Sequence, residues 1–182
     1  MLALAAAAVT ASILIVWLGR DTTFTWDELA WVMEYPGIGA KEVIEPHNGH
    51  LIATSRLVYA GLIEVFGPGY LPFRMLSLLA VIALAWAFFI YARPLIGGWV
   101  ALGPAVVLLF FGTAASHVLQ GNGFTVVLPL AFGIWGLIAL RRESRGGDIL
   151  AAGLLTVAVE TYTVGLAFVL AALLIVAKPL WF

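Results

Sequence analysis

The chain contains no cysteine and very little charge. Without cysteine there is no disulfide and no thiolate metal site, although this absence does not fix the cellular compartment. Only 10% of the residues are charged, whereas about 25% is typical of a soluble domain. The formal net charge is −1 and no basic stripe is present, so nothing indicates nucleic-acid binding. These absences exclude an ordinary soluble domain.

Apolar residues make up 63% of the chain, and its mean hydropathy is +1.08. The long apolar runs predict an all-α, polytopic membrane protein with about five to six transmembrane helices. The candidate stretches are 2–19, 51–66, 71–92, 99–116, 124–140 and 149–177. The first stretch lacks the basic region of a secretory signal and is long enough for a span, so we interpret it as a span.

The stretch 51–66 differs from the others because it is short and carries Arg56 and Glu64. Placing both charges in hydrocarbon would cost on the order of 5 kcal/mol. We therefore expect a helix that lies in the membrane interface. Pro46 followed by Asn48 predicts that this helix begins there, with His47 and His50 on one of its faces.

The stretch 149–177 is too long for a single perpendicular helix, which needs about 20 residues. It also carries Glu160 near its middle. We predict two short helices that meet at residues 160–163, where Glu160 would mark the outward tip of a helix hairpin. A single tilted helix is the alternative.

The basic residues indicate the orientation in the membrane. With 51–66 at the surface, five of them fall on one side, which the positive-inside rule makes cytoplasmic; they are Arg93, Arg141, Arg142, Arg145 and Lys178. The N-terminus is then inside, and the 20–50 loop and the 117–123 turn face outward. In a rival topology 51–66 spans the membrane, the N-terminus is outside, and Arg20 and Lys41 also become cytoplasmic.

Two groups of ionisable residues stand in the one long polar stretch, after the first apolar segment. The first group is Trp26-Asp27-Glu28, and the second is Glu45-Pro46-His47-Asn48-Gly49-His50. Carboxylates and imidazoles at a membrane surface are functional-site candidates. A third polar segment, Ser116 to Asn122, lies in the turn predicted to face the same side.

The order of these elements resembles the integral-membrane glycosyltransferases of the GT-C superfamily, and most of all its uncharacterised actinobacterial members. The resemblance rests on a first span followed by Trp26-Asp27-Glu28, then on the string from Glu45 to Leu51. Leu71-Pro72-Phe73-Arg74 opens the next span, and the basic loop 141–145 completes the pattern. Such enzymes take sugars from polyprenyl-phosphate donors, so the resemblance implies a transferase in the plasma membrane with an extracytoplasmic active face.

The resemblance also implies roles for particular residues. An acidic residue in the first outward loop acts as the catalytic base or binds a divalent cation, and Asp27 matches it, with Glu28 beside it. Whether a Mg²⁺ or Mn²⁺ ion binds at such a carboxylate stays open. The polar head of the interfacial helix matches His47, Asn48 and His50 as substrate-binding residues.

Two further regions complete the expected substrate site. The resemblance matches the outward turn to residues His117 to Asn122, with His117 and Gln120 as substrate-binding residues. Arg74 stands at the head of a span, at headgroup depth, where a guanidinium can bind a lipid phosphate in bidentate fashion. Arg74 also fits an arginine that only extends to the interface. Glu28 also fits a first-turn acid, and Asn48 an N-cap.

The expected partners are a polyprenyl-phosphate-linked sugar and the membrane lipids. Residues 1–182 match one module, the N-terminal half of such a transferase, so we expect either a fragment or a reduced form that needs a partner chain. Two other functions stay open. One is a transport protein with Glu160 lining a path, and the other is a non-catalytic membrane scaffold.

Overall fold

The computed structural model of the chain describes residues 1–25, 27–35, 38–110 and 119–177. Over these ranges the chain is helical and contains no strand, which confirms the predicted all-α class. The helices are α1 Leu2–Leu18, α2 Asp27–Glu34, α3 Ala40–Ile44, α4 Ala53–Phe66, α5 Leu71–Ile96, α6 Gly98–Leu109, α7 Phe124–Leu140, α8 Arg145–Thr161 and α9 Gly165–Ala177. A 3₁₀ turn, Gly121–Gly123, leads into α7.

Two helical segments of the described chain are long and apolar enough to cross a bilayer: Leu71–Ile96 and Gly121–Leu140. Helices α1, α6 and α9 are apolar but shorter. The 12 residues of α6 extend about 18 Å at a rise of about 1.5 Å per residue, whereas a hydrocarbon core is about 30 Å thick. The structure therefore supports two candidate spans, and a topology with about five to six spans stays a prediction.

Helix α5 occupies the centre of the bundle, where it packs against α1, α6 and α7. Its buried face carries several small residues, including Ser77, Ala80, Ala85 and Ala92. Small side chains allow neighbouring helix backbones to approach closely. This face therefore sets where the surrounding helices lie, including α7, whose first residues adjoin the candidate site.

The predicted break in 149–177 is confirmed, since α8 ends at Thr161 and α9 begins at Gly165. Glu160 lies in the last turn of α8, next to the tip of this hairpin. A Cβ built on Gly165 would lie 2.4 Å from the carbonyl carbon of Ala158. Only glycine permits that approach, so this residue fixes how tightly the hairpin closes.

The predicted helix over 51–66 is confirmed as α4, but its predicted start is wrong. The helix begins at Ala53, and His47 and His50 face each other across a tight turn before it. Asn48 and Gly49 both have positive φ, 50° and 78°. An Asn-Gly pair with two positive φ values is typical of a two-residue reverse turn, so Asn48 is a turn residue and not the N-cap.

Gly165→Ala should destabilise the protein. The added methyl group would force apart backbones that are in contact, a strain of about 1–3 kcal/mol. Thermal unfolding followed by circular dichroism, with the protein in phospholipid nanodiscs, should show a lower melting temperature. Gly153→Ala is the matched control, because nothing lies within 4 Å of its Cβ position and alanine favours a helix. Equal melting temperatures for the two variants would contradict this account of the hairpin.

Candidate functional site

A cavity of about 230 Å³ lies at one end of the bundle, where four separate parts of the chain meet. The start of α2, the His47–His50 turn, the start of α7 and the turn between α8 and α9 all contribute. Its lining residues are Asp27, Trp31, His47, Asn48, His50, Ile52, Asn122, Thr125, Val126 and Tyr162. The structure thus brings together Asp27, His47, Asn48 and His50, four of the residues that the sequence singled out.

The carboxylate of Asp27 faces the imidazole of His47 in this cavity, with Oδ2 and Nε2 3.5 Å apart. Asp27 is the first residue of α2, where the helix dipole favours a negative charge. Its side chain is 54% exposed, and that of His47 is 28% exposed. A carboxylate that is open to a ligand and adjacent to an imidazole can accept a proton from a bound hydroxyl group.

His50 also lines the cavity. Its Nδ1 lies 2.8 Å from Oγ1 of Thr163, and its Nε2 lies 3.1 Å from the hydroxyl of Tyr162. The imidazole also stacks on the ring of Tyr162, with centroids 4.2 Å apart. Both ring nitrogens therefore have protein partners, and His50 ties the loop before α4 to the α8–α9 hairpin.

The tight turn places the two histidines. His47 and His50 exchange backbone hydrogen bonds, N–H to carbonyl oxygen, of 2.9 Å in each direction. His47 also packs edge-on against Trp31, with centroids 5.6 Å apart. His47 and His50 therefore stand on a tight turn at the cavity, and not on one face of a helix as the spacing predicted.

Glu28 points away from the cavity into the protein and is completely buried. Its Oε2 accepts hydrogen bonds from the backbone N–H of Thr25, at 3.0 Å, and from the Thr25 hydroxyl, at 3.3 Å. The Tyr59 hydroxyl donates to Oε1 at 3.4 Å. Burial raises the pKa of the Glu28 carboxyl, because the charged form loses its hydration. The adjacent acids thus separate, with Asp27 at the cavity and Glu28 in the core.

The turn before α7 is held in place by Ser77 of α5 and by Tyr70, the residue that precedes α5. The N–H of Gly121 donates to the Tyr70 hydroxyl at 2.6 Å, and the Ser77 hydroxyl donates to the Gly121 carbonyl at 2.8 Å. A Cβ on Gly121 would lie 2.9 Å from Oε1 of Glu28, so no larger residue fits. This turn carries Asn122 into the cavity, where its buried Oδ1 has no partner among the described residues.

The remaining predicted site residues lie elsewhere. Arg74 is only 5% exposed, and its Nη2 donates to the carbonyl oxygen and to Oγ1 of Thr22, at 3.1 and 2.7 Å. Its guanidinium therefore holds the loop after α1 and does not face the cavity. Gln120 is partly buried and does not line it either. His117 lies outside the described residues.

Six lining residues were not predicted as site residues: Trp31, Ile52, Asn122, Thr125, Val126 and Tyr162. Asn122 stands in the polar turn that the sequence marked, and Tyr162 stands in the predicted break between two helices. Their positions in those two segments are the only features of the sequence that indicate a place in the site. No spacing rule connects His50 with Tyr162, which is 112 residues further along the chain.

The donor groups fit a metal ion poorly. Within the described ranges, no group of three or more histidine or acidic side chains is placed to hold one. Asp27 and His47 supply two donors, and Mg²⁺ or Mn²⁺ prefers several oxygen ligands. We therefore derive no step that requires a metal.

Comparison with protein-family models, with curated proteins and with solved structures finds no match to this chain. The resemblance to the GT-C superfamily therefore stays a prediction from the sequence.

Glu28→Gln should change how stability depends on pH. Burial raises the pKa of Glu28 above 4.5, so its contribution to stability is full below that value and is lost as the pH rises through the raised pKa. The amide does not titrate. We expect the melting temperature of the wild type to fall relative to the variant as the pH rises from 4.5. Glu143→Gln, at an exposed position, should follow the wild type, and a constant difference between E28Q and wild type would contradict this.

Proposed function

We propose that this protein is an integral-membrane glycosyltransferase that moves a sugar from a polyprenyl-phosphate donor to an acceptor at the extracytoplasmic face. The observation that carries the proposal is the cavity in which the Asp27 carboxylate faces His47, at one end of an apolar helical bundle. A lipid-linked substrate needs such a site, because its tail stays in the bilayer while its sugar reacts in water.

The surface of the bundle supports a membrane location. Large apolar side chains point outward along several helices, including Leu79 at 61% exposure, Val100 at 62% and Leu174 at 71%. Water-soluble monomers rarely expose a broad apolar surface. In a bilayer, lipid tails cover such a surface and keep its apolar side chains away from water. With two segments long enough to span, the simplest environment for this surface is a bilayer.

The charges at the two ends of the bundle support the proposed orientation. Helix α7 starts beside the cavity at Phe124 and ends at Leu140, where the basic residues 141, 142 and 145 follow. The Arg141 guanidinium lies over the ring of Tyr91, 4.2 Å from its centroid, near the C-terminal end of α5. The arginine-rich end is thus opposite the cavity, and the positive-inside rule assigns that end to the cytoplasm.

The residues of the cavity supply the chemistry that the transfer needs. The acceptor oxygen forms a bond to the anomeric carbon of the sugar, and the bond from that carbon to the phosphate oxygen breaks. Asp27 receives the proton of the acceptor hydroxyl, and the electron pair of the broken bond leaves with the lipid phosphate. His47 and the amide groups of Asn48 and Asn122 line the same cavity and can supply hydrogen bonds to the developing negative charge.

A transport function gains no support from the position of Glu160. This residue lies at the end of α8 and lines a shallow, largely apolar groove with Leu51 and Leu166. Transporters place their ion and substrate sites near the middle of the bilayer. The ionisable residues discussed above gather instead at the end of the bundle, as a surface reaction on a lipid substrate requires.

Asp27→Asn should reduce sugar transfer by about 10²-fold or more, because it removes the general base. The measurement is transfer from a panel of polyprenyl-phosphate sugars in proteoliposomes that contain the purified chain. Asp21→Asn is the matched control, since Asp21 lies in the same loop, pairs with Arg20 at 3.2 Å and is 85% exposed. It should keep the wild-type rate.

Two results would contradict the proposal. Equal rates for D27N and D21N would remove Asp27 from the reaction. Absence of transfer by the wild type with every donor in the panel would remove the glycosyltransferase function.

A further inference from the structure

A second and larger cavity, of about 430 Å³, lies on the other side of Trp31. Its volume is in the range of small-molecule sites, about 300–1,000 Å³. It lies among α2, α3 and α4, and its lining residues are Trp31, Glu34, Tyr35, Ile38, Glu42, Glu45, Pro46, Arg56, Tyr59 and Ala60. Trp31 lines both cavities, so a ligand in the second would lie next to the Asp27 cavity.

Arg56 forms the rigid part of this second cavity. It is only 9% exposed, and its Nη1 donates to the carbonyl oxygens of Glu42 and of Glu45, the latter at 2.8 Å. The guanidinium therefore fixes the end of α3 to α4. A buried arginine held in this way gives the cavity a preorganised donor group that needs no rearrangement to meet a ligand.

The other polar groups of the cavity are mostly acceptors. The Glu42 carboxylate accepts from the N–H of Gly39 at 2.9 Å. Within the described ranges, the carboxylates of Glu34 and Glu45 take part in no hydrogen bond or ion pair of their own. The indole N–H of Trp31 is buried and has no acceptor in the same ranges.

The charged and aromatic side chains of the second cavity determine which class of ligand it can bind. Three carboxylates against one guanidinium give a negative cavity, which disfavours a phosphate or another anion. Free carboxylates accept hydrogen bonds from hydroxyl groups, and such charge-assisted bonds are strong. Trp31 and Tyr59, whose ring centroids are 5.0 Å apart, give the cavity aromatic walls for the C–H faces of a sugar ring.

We propose that the second cavity binds a neutral saccharide, and that this saccharide is the acceptor for the sugar held beside Asp27. The assignment as acceptor site rests on the proposed transferase function, whereas saccharide binding itself does not. An acceptor hydroxyl would reach Asp27 past the edge of Trp31. The carboxylates of Glu34 and Glu45 hold the other hydroxyl groups of that sugar.

The test is a binding measurement on the full chain in phospholipid nanodiscs, since maltoside detergents carry sugar headgroups of their own. Saturation-transfer NMR would follow methyl glucoside, methyl mannoside and methyl arabinofuranoside as neutral probes, tetramethylammonium as a cation and inorganic phosphate as an anion. We expect saturable binding of at least one glycoside. The double variant E34Q/E45Q should weaken it about ten-fold, as expected when charge-assisted hydrogen bonds are lost.

Two controls separate this inference from the proposed function. Glu143→Gln, at the opposite end of α7, should bind the glycoside as the wild type does. Asp27→Asn should lose transfer but keep glycoside binding. If D27N abolishes transfer while no glycoside binds in a manner sensitive to E34Q/E45Q, the saccharide site is wrong and the transferase stands. If a glycoside binds as expected but no donor supports transfer, the transferase is wrong and the saccharide site stands.

Other outcomes overturn the saccharide site directly. If tetramethylammonium binds and the glycosides do not, and if E34Q/E45Q abolishes that binding, the cavity is a cation site. Phosphate binding that depends on Arg56 would make it an anion site.

Loss of the fold in the double variant would show as a changed melting temperature. Glu34→Gln alone, on an exposed residue of α2, then supplies the comparison, and unchanged glycoside binding in that variant would also overturn the site.

Discussion

The position of the turn before α7 depends on the hydroxyl group of Ser77, a residue of α5. It donates to the carbonyl oxygen of Gly121 at 2.8 Å and accepts from the N–H of Phe124 at 2.9 Å. Ser77 is completely buried, so neither backbone group could bond to water if the side chain were absent. This one hydroxyl group joins α5 to the start of α7, and the position of Asn122 in the cavity depends on it.

The first loop is attached to α4 through a buried acid, Glu28, which also lies against the turn before α7. Glu28 binds Thr25 on its own loop and Tyr59 on α4, and it leaves room only for glycine at position 121. A buried carboxyl without these partners would be costly. This arrangement explains why the two adjacent acids differ so much in their surroundings. Glu28 holds the loop in place, and Asp27 is thereby turned toward the cavity.

Much of the fold follows from patterns that the sequence displays directly. The apolar runs predict the helices, and the polar residues 160–163 predict the break between α8 and α9. The start of α4 was missed because Pro46 and Asn48 suggested a helix, whereas Asn48-Gly49 is a strong signal for a turn. The gathering of Asp27, His47 and His50 was expected, but burial of Glu28 and Arg74 was not. Those outcomes depend on partners 31 and 52 residues away in the chain, which no local pattern reveals.

The contacts of His50 have a mechanical consequence for the hairpin of α8 and α9. Its imidazole holds Thr163 through one nitrogen and Tyr162 through the other, with the two rings stacked. Any outward swing of the hairpin tip must break all three contacts together. One side chain therefore holds the hairpin tip against the cavity, and displacement of that imidazole would release Thr163 and Tyr162 together.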